Sequence, residues 1–237
     1  MSGIRRSAQG RATLGVGFFT VIAALAMLWT VNAPGESRQF PSIGIQKYYV
    51  PSKSMEPTLL IGDYVFANGI KEPTRGQLVA YRLPRDRSTV FIKRIAGIAG
   101  DRVQTIGGVL HINGEAVKRE RVPDFEGQDY NGRKVQIRQF RETLPGGVSY
   151  LTLDEQDNGF LDNTPVFTVP PGHLFMLGDN RDNSSDSRVP THGFVPADDV
   201  IGRVSFIYFS IAEGESIWKL WRLPSAVRWS RLFTLVE

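Results

Sequence analysis

The sequence predicts a mainly β protein preceded by one transmembrane helix. Its 24 glycines and 14 prolines separate short runs rich in Val, Ile, Phe and Tyr, a pattern typical of strands and tight turns. Residues 14–33 carry no charged side chain, and this span has the length that a helix needs to cross ~30 Å of hydrocarbon. The 237 residues allow one core, or a core with a smaller inserted domain.

The charges around residues 14–33 predict how this helix lies in the membrane. Arg5, Arg6 and Arg11 precede the apolar segment, whereas the stretch just after it holds one Glu and one Arg. Positive-inside bias therefore places residues 1–13 in the cytoplasm and everything after the helix outside. The alternative is a cleavable signal peptide, whose apolar region is usually ~7–15 residues long.

Strand patterns resume after a linker at residues 34–43. Four short β-type runs bounded by Gly, Pro or Asp follow: GIQKYYVP, GDYVFANGI, GQLVAYRL and TVFIKRIAGIAG. Asn113-Gly114 stands between alternating residues and predicts a two-residue hairpin. Residues 106–168 are richer in charge and glycine, and we interpret them as an inserted β domain. The main domain would then comprise residues 44–105 and, where apolar strand patterns return, residues 169–212.

The C-terminal segment, residues 213–237, has a different character. On a helical projection Ala226, Trp229, Phe233 and Val236 share one face, and arginines lie elsewhere. Trp together with basic residues at an amphipathic end suits the bilayer interface. An ordinary C-terminal helix packed on the body is the alternative, and the sequence leaves both open.

Composition argues against several function classes. The formal net charge of +4 is small, and apart from the two ends of the chain the basic residues are scattered along the sequence. No nucleic-acid partner is therefore expected. The absence of cysteine rules out disulfides and thiolate metal sites. The GDNRDNSSDSR stretch has spacing faintly like a calcium loop, but Ser187 stands where such a loop needs glycine. No metal and no cofactor are therefore expected.

Ser54, in the stretch VPSKSMEPT, is the candidate nucleophile. A hydroxyl needs a base to take its proton, and histidine is the usual one. The chain has only His111, His173 and His192 and no G-x-S-x-G elbow, so we interpret each histidine as a surface or packing residue. Lys53 is adjacent to Ser54 but, in an extended segment, should point away from it.

Lys93, in VFIKRIAG, is the alternative base. Period-two alternation puts it on the strand face of Phe91 and Ile95, and burial among apolar groups can lower a lysine pKa by several units from ~10.4. Arg94 points to the other face, and its guanidinium does not deprotonate in proteins. Taken alone, Lys93 could also be an ordinary snorkelling lysine.

Three blocks in order carry a resemblance to a known family. PSKSMEPTLLIGD, FIKRIAGIAGDRV and GDNRDNSSDSR, behind a membrane anchor, resemble the bacterial type I signal peptidases, and together they fall within residues 48–204. The resemblance implies a β-rich catalytic domain with a second β domain inserted after the lysine strand. Lys53, Ala99 and the 189–193 loop depart from the family pattern, which puts local loop shape in doubt.

The resemblance also implies roles for residues of the site. Ser54 would be the acylated nucleophile and Lys93 its general base. The Ser52 hydroxyl would join the Ser54 backbone N–H in an oxyanion hole, which acyl transfer needs for its tetrahedral intermediate.

Supporting and specificity residues follow from the same resemblance. Ser184 would hydrogen-bond and orient the lysine, while Asp186 and Arg188 would form a supporting ion pair. Four residues would line small pockets that select small-x-small sequences: Val50, Leu59, Val65 and Ile92.

The implied partners are exported preproteins bearing signal peptides and the lipid bilayer. The implied location is the bacterial inner membrane, with a single pass and the catalytic domain on the periplasmic or extracytoplasmic side. Two alternatives remain. A self-cleaving repressor-type Ser/Lys protease would need a DNA-binding head, and residues 14–33 predict a membrane helix there instead. A membrane-anchored β scaffold without activity would use the three blocks only as turns and strands.

Overall fold

The structure, a computed structural model, describes residues 44–129, 131–215, 218 and 220–236. The predicted cytoplasmic N-terminus, transmembrane helix and linker, residues 1–43, lie outside this described part. Within it, no helix combines the length and the apolar character required to cross a membrane.

The described residues are mainly β. Their strands are β1 (Ile45–Tyr49), β2 (Asp63–Asn68), β3 (Leu78–Leu83), β4 (Asp86–Gly97), β5 (Arg102–Ile106), β6 (Val109–Ile112), β7 (Glu115–Ala116), β8 (Lys118–Gln128), β9 (Lys134–Thr143), β10 (Ser149–Asp154), β11 (Phe167–Thr168), β12 (His173–Leu177), β13 (Val195–Pro196), β14 (Val200–Ser210) and β15 (Thr234–Leu235). Their helical segments are α1 (Leu223–Ala226) and the 3₁₀ helices Lys53–Met55, Ala197–Asp199, Leu220–Arg222 and Trp229–Arg231.

An eight-stranded antiparallel sheet contains most of the strands predicted from the apolar runs. Its order is β1-β2-β14-β3-β4-β12-β13, and β15 pairs with β14. The late strand β14 lies between the early strands β2 and β3, with register shifts along both pairings. The large sheet is therefore complete only when β14, late in the chain, pairs with both early strands.

Two smaller sheets lie largely within residues 106–168. One has the order β11-β5-β6-β7 and the other β10-β9-β8. Between β6 and β7, Asn113 and Gly114 both have positive φ, at 56° and 89°, which confirms the predicted two-residue hairpin. Strand β5 lies mainly before residue 106, so the limits of the inserted domain stay a prediction.

The two faces of the large sheet are buried by different side chains. One core cluster includes Val65, Ala80 and Ile207, and the other includes Tyr81, Ile95 and Met176. Because side chains alternate along a strand, β4 sends successive residues into opposite clusters. The chemistry of the site depends on this alternation.

The C-terminal segment does not form the single amphipathic helix that its sequence pattern predicts. It comprises α1, two 3₁₀ helices and β15, and Ala226 and Val236 are buried while Trp229 and Phe233 are half exposed. Pairing of β15 with β14 forces extended backbone there, and the charged arm of Arg231 binds Asp63 at 2.6 Å. Tertiary pairing has overridden the local helical pattern.

Candidate active site

Ser54 lies in a short turn that connects β1 to β2. The 3₁₀ helix Lys53–Met55 holds it, and the Met55 and Leu59 side chains anchor the segment because both are almost fully buried. The Leu59 N–H donates to the Met55 carbonyl at 2.8 Å, and the Asn180 N–H donates to the Ser54 carbonyl at 3.2 Å. The serine backbone is thus fixed from two sides, by its own turn and by a distant loop.

Lys93 lies on β4 between two neighbouring strands. The Lys93 backbone pairs with Val79 of β3, and the backbone of the adjacent Arg94 pairs with Leu177 of β12. Lys93 is only 2% exposed, and its ammonium lies 5.9 Å from the centre of the Phe91 ring. It is a buried side chain beside the predicted apolar neighbour, so the snorkelling interpretation is wrong.

The two side chains meet. Lys93 Nζ lies 2.5 Å from Ser54 Oγ in a buried hydrogen bond. Burial lowers the pKa of Lys93 to about 8, against the opposing effect of the negative charges on Asp186 and Asp179. A substantial neutral fraction can therefore exist near neutral pH, and a neutral amine within hydrogen-bond distance of a hydroxyl can accept its proton.

The two residues before Ser54 point in different directions. The Ser52 and Ser54 hydroxyl oxygens are 3.2 Å apart, so the predicted oxyanion donor lies beside the nucleophile. Lys53 instead reaches away, as predicted, and donates from Nζ to the Gln128 carbonyl at 2.6 Å. A lysine at this position therefore leaves the nucleophile unobstructed.

The loop from Gly178 to Arg188, between β12 and β13, packs against the Ser54–Lys93 pair. In it Arg188 binds Asp186 with two hydrogen bonds of 2.9 Å, which is the predicted ion pair. Burial alone would raise the pKa of Asp186, but the Arg188 charge and hydrogen bonds to the carboxylate outweigh it and lower the pKa. Asp186 is thus a fixed negative charge close to the lysine.

Ser184 does not make the predicted hydrogen bond. Its hydroxyl is buried without a partner of normal hydrogen-bond geometry among the described residues, although it lies near enough to Asp186 to help lower the pKa of that carboxyl. Ser184 packs directly against Gly178, where an added Cβ would lie 2.2 Å from Ser184 Oγ. The Ser184–Lys93 hydrogen bond is therefore absent in this structure.

A groove of about 400 Å³ runs along the Ser54–Lys93 pair. Val50 and Ile92, two of the four predicted pocket residues, line it. Leu59 and Val65 do not line it, because both are fully buried in the core cluster that contains Val50. They pack in the same cluster as the groove residues Val50 and Ile92 and do not themselves face the groove. Beside Val50, Ile92, Ser54 and Lys93, ten further residues line this groove: Tyr48, Tyr49, Pro51, Ser52, Met55, Thr89, Val90, Phe91, Asn183 and Ser185.

Sequence reasoning missed a buried pair beside the lysine. His192 lies in the 189–193 loop, and its Nε2 is 2.5 Å from Tyr81 Oη. Its ring also meets Phe91 edge to face at 5.2 Å. Burial lowers the pKa of His192 to about 4, so it is neutral at physiological pH. His192 therefore packs between two aromatic rings, those of Tyr81 and Phe91.

A second missed pair ties the lysine strand to the Gly178–Arg188 loop. Arg94 grips Asp179 through two hydrogen bonds of 2.9 and 2.8 Å, and the Thr58 hydroxyl donates to the same carboxylate at 2.5 Å. The sequence had placed Arg94 on the opposite face from Lys93, but nothing in it named the partner. Among the described residues, no cluster of His, Asp and Glu is placed to hold a metal ion.

Replacing His192 with Phe tests its packing role. We expect kcat/KM to fall by less than ~10-fold, well short of the ~10²–10⁴-fold that loss of a general base costs. Stability should fall by ~1–3 kcal/mol, because the buried Tyr81 hydroxyl loses its partner. Kinetics and urea unfolding of the purified variant measure both, and a loss of activity in the range of a removed base would make His192 part of the chemistry.

The chain is similar to known peptidases over most of its length. The family model described as "Signal peptidase, peptidase S26" matches residues 19–209. Signal peptidase I of Rickettsia typhi is 36% identical over 196 aligned residues, which cover 70% of this chain and 72% of the relative. Signal peptidase I of Rickettsia prowazekii is 35% identical with the same coverage.

A solved structure was also found. The signal peptidase I from Enterococcus faecalis V583 is 28% identical, and the match covers 57% of this chain and 98% of that one. Its TM-score of 0.35 is too low to bear on the fold. The identification therefore depends on the family model and the sequence relatives.

These matches define the class of the protein as a serine endopeptidase, a hydrolase of peptide bonds. The chain belongs to the signal peptidase family, peptidase S26. Enzymes of this family remove signal peptides, so the interpretation of the chain as an inactive β scaffold is wrong.

Proposed function

We propose that this enzyme is anchored in the bacterial inner membrane and removes N-terminal signal peptides from exported preproteins through a Ser54/Lys93 dyad. The observation that carries the proposal is the 2.5 Å contact between Lys93 Nζ and Ser54 Oγ, with both side chains buried. Serine needs a neighbouring base to become nucleophilic, and within the described part of the chain Lys93 is the base that contacts its hydroxyl. A self-cleaving repressor-type protease would share this chemistry, but the family matches favour signal-peptide removal.

In the acylation step, neutral Lys93 takes the Ser54 hydroxyl proton as Oγ attacks the scissile carbonyl carbon. The tetrahedral intermediate places negative charge on the carbonyl oxygen. The Ser54 backbone N–H and the Ser52 hydroxyl would donate to it, and such donors are each worth ~10²–10³-fold in rate. Collapse breaks the C–N bond, and the Lys93 ammonium returns its proton to the leaving amine of the mature protein.

In the deacylation step, Lys93 acts as base a second time. It takes a proton from water while the hydroxide attacks the acyl ester on Ser54. When the ester bond breaks, Lys93 gives the proton to Ser54 Oγ and the signal peptide leaves with a free carboxylate. One lysine thus serves as base and acid in both halves of the reaction, which needs a pKa near the working pH.

Support for the dyad comes from the ion pair behind it. Asp186 is fully buried and held by Arg188, so its carboxylate stays at a fixed position relative to the lysine. A fixed negative charge near Lys93 moderates the lowering of its pKa by burial. We propose that Ser184, close-packed beside them, supports the dyad through its packing position.

Specificity for small-x-small sequences is proposed to come from the groove. Val50 and Ile92 narrow it beside Ser54, and Leu59 and Val65 close the space beneath, so only short side chains would fit. The residues before the cleavage site would lie extended along the groove. Such a sieve discriminates by overlap with packed side chains.

The membrane part of the proposal combines two ends of the chain. The apolar segment 14–33 would anchor the enzyme with residues 1–13 in the cytoplasm and the catalytic domain outside. Near the C-terminus, Trp221 and Leu235 are 79% and 72% exposed, and large apolar side chains of this kind suit contact with a bilayer. The catalytic domain would then work close to the membrane from which its substrates emerge.

Cleavage of a precursor tests the proposed function. Purified full-length enzyme in detergent is incubated with a signal-bearing precursor, and the new N-terminus is sequenced. We expect it directly after a small-x-small sequence. Ser54→Ala should abolish cleavage, while Ser52→Ala should retain a slow rate, ~10²–10³-fold reduced, because only one oxyanion donor is lost. Folded Ser54→Ala protein that still cleaves would reject Ser54 as nucleophile.

A further inference from the structure

We propose that Glu142, on β9 of the three-stranded sheet, is a positioning residue that holds the Gly178–Arg188 loop in its working geometry through Arg181. Glu142 lies outside the three sequence blocks, in the region interpreted as an insertion. The inference rests on the proposed function, since it concerns how the Ser54/Lys93 dyad is kept in place.

The Glu142 carboxylate is buried and fully engaged. It is 1% exposed, and Oε2 accepts a 2.5 Å hydrogen bond from Arg181 Nη2. The hydroxyls of Tyr150 and Thr152, on the neighbouring strand β10, donate to its two oxygens at 3.3 and 3.4 Å. A buried carboxylate is costly unless paired, so this arrangement has little freedom to move.

Arg181 links the two ends of the loop. Its Nε donates to the Gly178 carbonyl at 3.1 Å, where the loop begins. Its own carbonyl accepts a 2.6 Å hydrogen bond from Arg188 Nη2, where the loop ends. Its backbone N–H donates to the Leu153 carbonyl of β10 at 3.0 Å. The Arg181 guanidinium, held by Glu142, is therefore one of the contacts that fix the loop to the three-stranded sheet, beside backbone hydrogen bonds to Leu153.

The Gly178–Arg188 loop contacts Ser54 and acts electrostatically on Lys93, so its position affects both members of the dyad. Next to Arg181, the Asn180 N–H donates to the Ser54 carbonyl at 3.2 Å. At the far end, Arg188 holds Asp186, whose charge acts on Lys93. A shift of the loop would displace the serine and change the electrostatic surroundings of the lysine together, and a misplacement of ~1 Å can cost ~10²-fold in rate.

Asp154 provides a matched control. It is a second buried carboxylate on the three-stranded sheet, 6% exposed, and it pairs with Arg119 at 2.6 Å and Arg138 at 2.8 Å. Within the described residues, its side-chain hydrogen bonds go to these arginines and none to the Gly178–Arg188 loop. Its partner Arg119 also lies 3.9 Å from Glu142, but the 2.5 Å Glu142–Arg181 contact does not involve Asp154. Removing the Asp154 charge should therefore weaken the sheet and leave that contact in place.

The experiment compares Glu142→Gln and Asp154→Asn in the full-length enzyme. For each, kcat and KM for a signal-bearing precursor are measured together with the thermal unfolding midpoint. We expect Glu142→Gln to lower kcat by ~10–100-fold because the dyad is misaligned. KM should change less than ~3-fold, because most of the groove walls, Val50 and Ile92 among them, lie outside the displaced loop. Asp154→Asn should lose thermal stability yet keep kcat near wild type. Glu142→Asp should recover part of the lost kcat.

A double mutant adds a second readout. Combining Glu142→Gln with Arg181→Lys should cost less than the sum of the single effects, because both break the same contact. The inference is overturned if Glu142→Gln and Asp154→Asn have the same kcat and a similar loss of stability. It is also overturned if the losses of kcat in Glu142→Gln and Arg181→Lys add fully in the double mutant. Should Glu142→Gln fail to fold, the kcat and stability of Glu142→Asp and Arg181→Lys are compared with those of Asp154→Asn instead.

Controls in the same assay separate this inference from the proposed function. If Ser54→Ala and Lys93→Met are inactive and Glu142→Gln is unaffected, only the positioning role fails. If Ser54→Ala or Lys93→Met remains active, the dyad itself fails.

Discussion

Lys93→Met is expected to lower kcat/KM by at least ~10³-fold, within the range by which general acid–base catalysis accelerates a reaction. Methionine keeps the apolar volume in the buried site but has no atom that can take the Ser54 proton. Lys93→Arg should fail as completely, since a guanidinium keeps the charge and does not deprotonate in proteins. Kinetics with a signal-bearing precursor, after circular dichroism has confirmed folding, measure both variants.

The matched control is the neighbouring lysine in sequence. Lys53 points to the Gln128 carbonyl and away from Ser54, so Lys53→Ala should remain active. Substantial cleavage by folded Lys93→Met or Lys93→Arg would contradict the assignment of Lys93 as the base. Loss of activity in Lys53→Ala equal to that in Lys93→Met would point to Lys53 instead.

Gly178→Ala is expected to reduce kcat/KM by about 100-fold, as a ~1 Å displacement at a catalytic group can do. A Cβ at Gly178 would lie 2.2 Å from Ser184 Oγ and 2.6 Å from the Ser54 carbonyl oxygen. Neither neighbour is the free end of a flexible side chain. The added methyl must therefore push the Gly178–Arg188 loop away from the nucleophile, at a folding cost of ~1–3 kcal/mol.

Gly69→Ala is the control for the glycine substitution itself. A Cβ at Gly69 meets nothing within 4 Å, and Gly69 has no positive φ that would strain an alanine. Its activity should match wild type. Near-normal kinetics of Gly178→Ala would mean that the close packing of loop and nucleophile is unimportant for catalysis.

Much of the local fold could be predicted because the signals are local. Strand β14 coincides with the apolar run VIGRVSFIYFS, and the Asn113-Gly114 turn has the backbone angles that its sequence demands. The face on which Lys93 lies follows from the two-residue period of a strand. These inferences need no knowledge of which elements meet.

Pairings distant in sequence could not be predicted from such patterns. Nothing in β14 alone says that it inserts between β2 and β3, and the C-terminal segment reads as a helix until its pairing with β14 is known. Glu142 is a similar case, since its 2.5 Å contact with Arg181 spans 39 positions of the chain. A single charge in a charge-rich region carries no sign of its partner.

The candidate site divides in the same way. Ser54 and Lys93 come together as the block pattern predicts, and Asp186 pairs with Arg188. Ser184 differs from the expectation, since its buried hydroxyl makes no hydrogen bond to Lys93. Contacts at this scale are set by tertiary packing and are not encoded in a motif.

The pH dependence of kcat/KM tests most directly whether neutral Lys93 activates Ser54. Burial lowers the pKa of Lys93 to about 8, and the neutral form is the one that accepts a proton. Activity should therefore rise with pH and level off above about 8, and His192→Phe should leave this limb in place. A limb near ~6.5 that disappears when His111, His173 and His192 are replaced, or a rise only near ~10.4, would contradict the account.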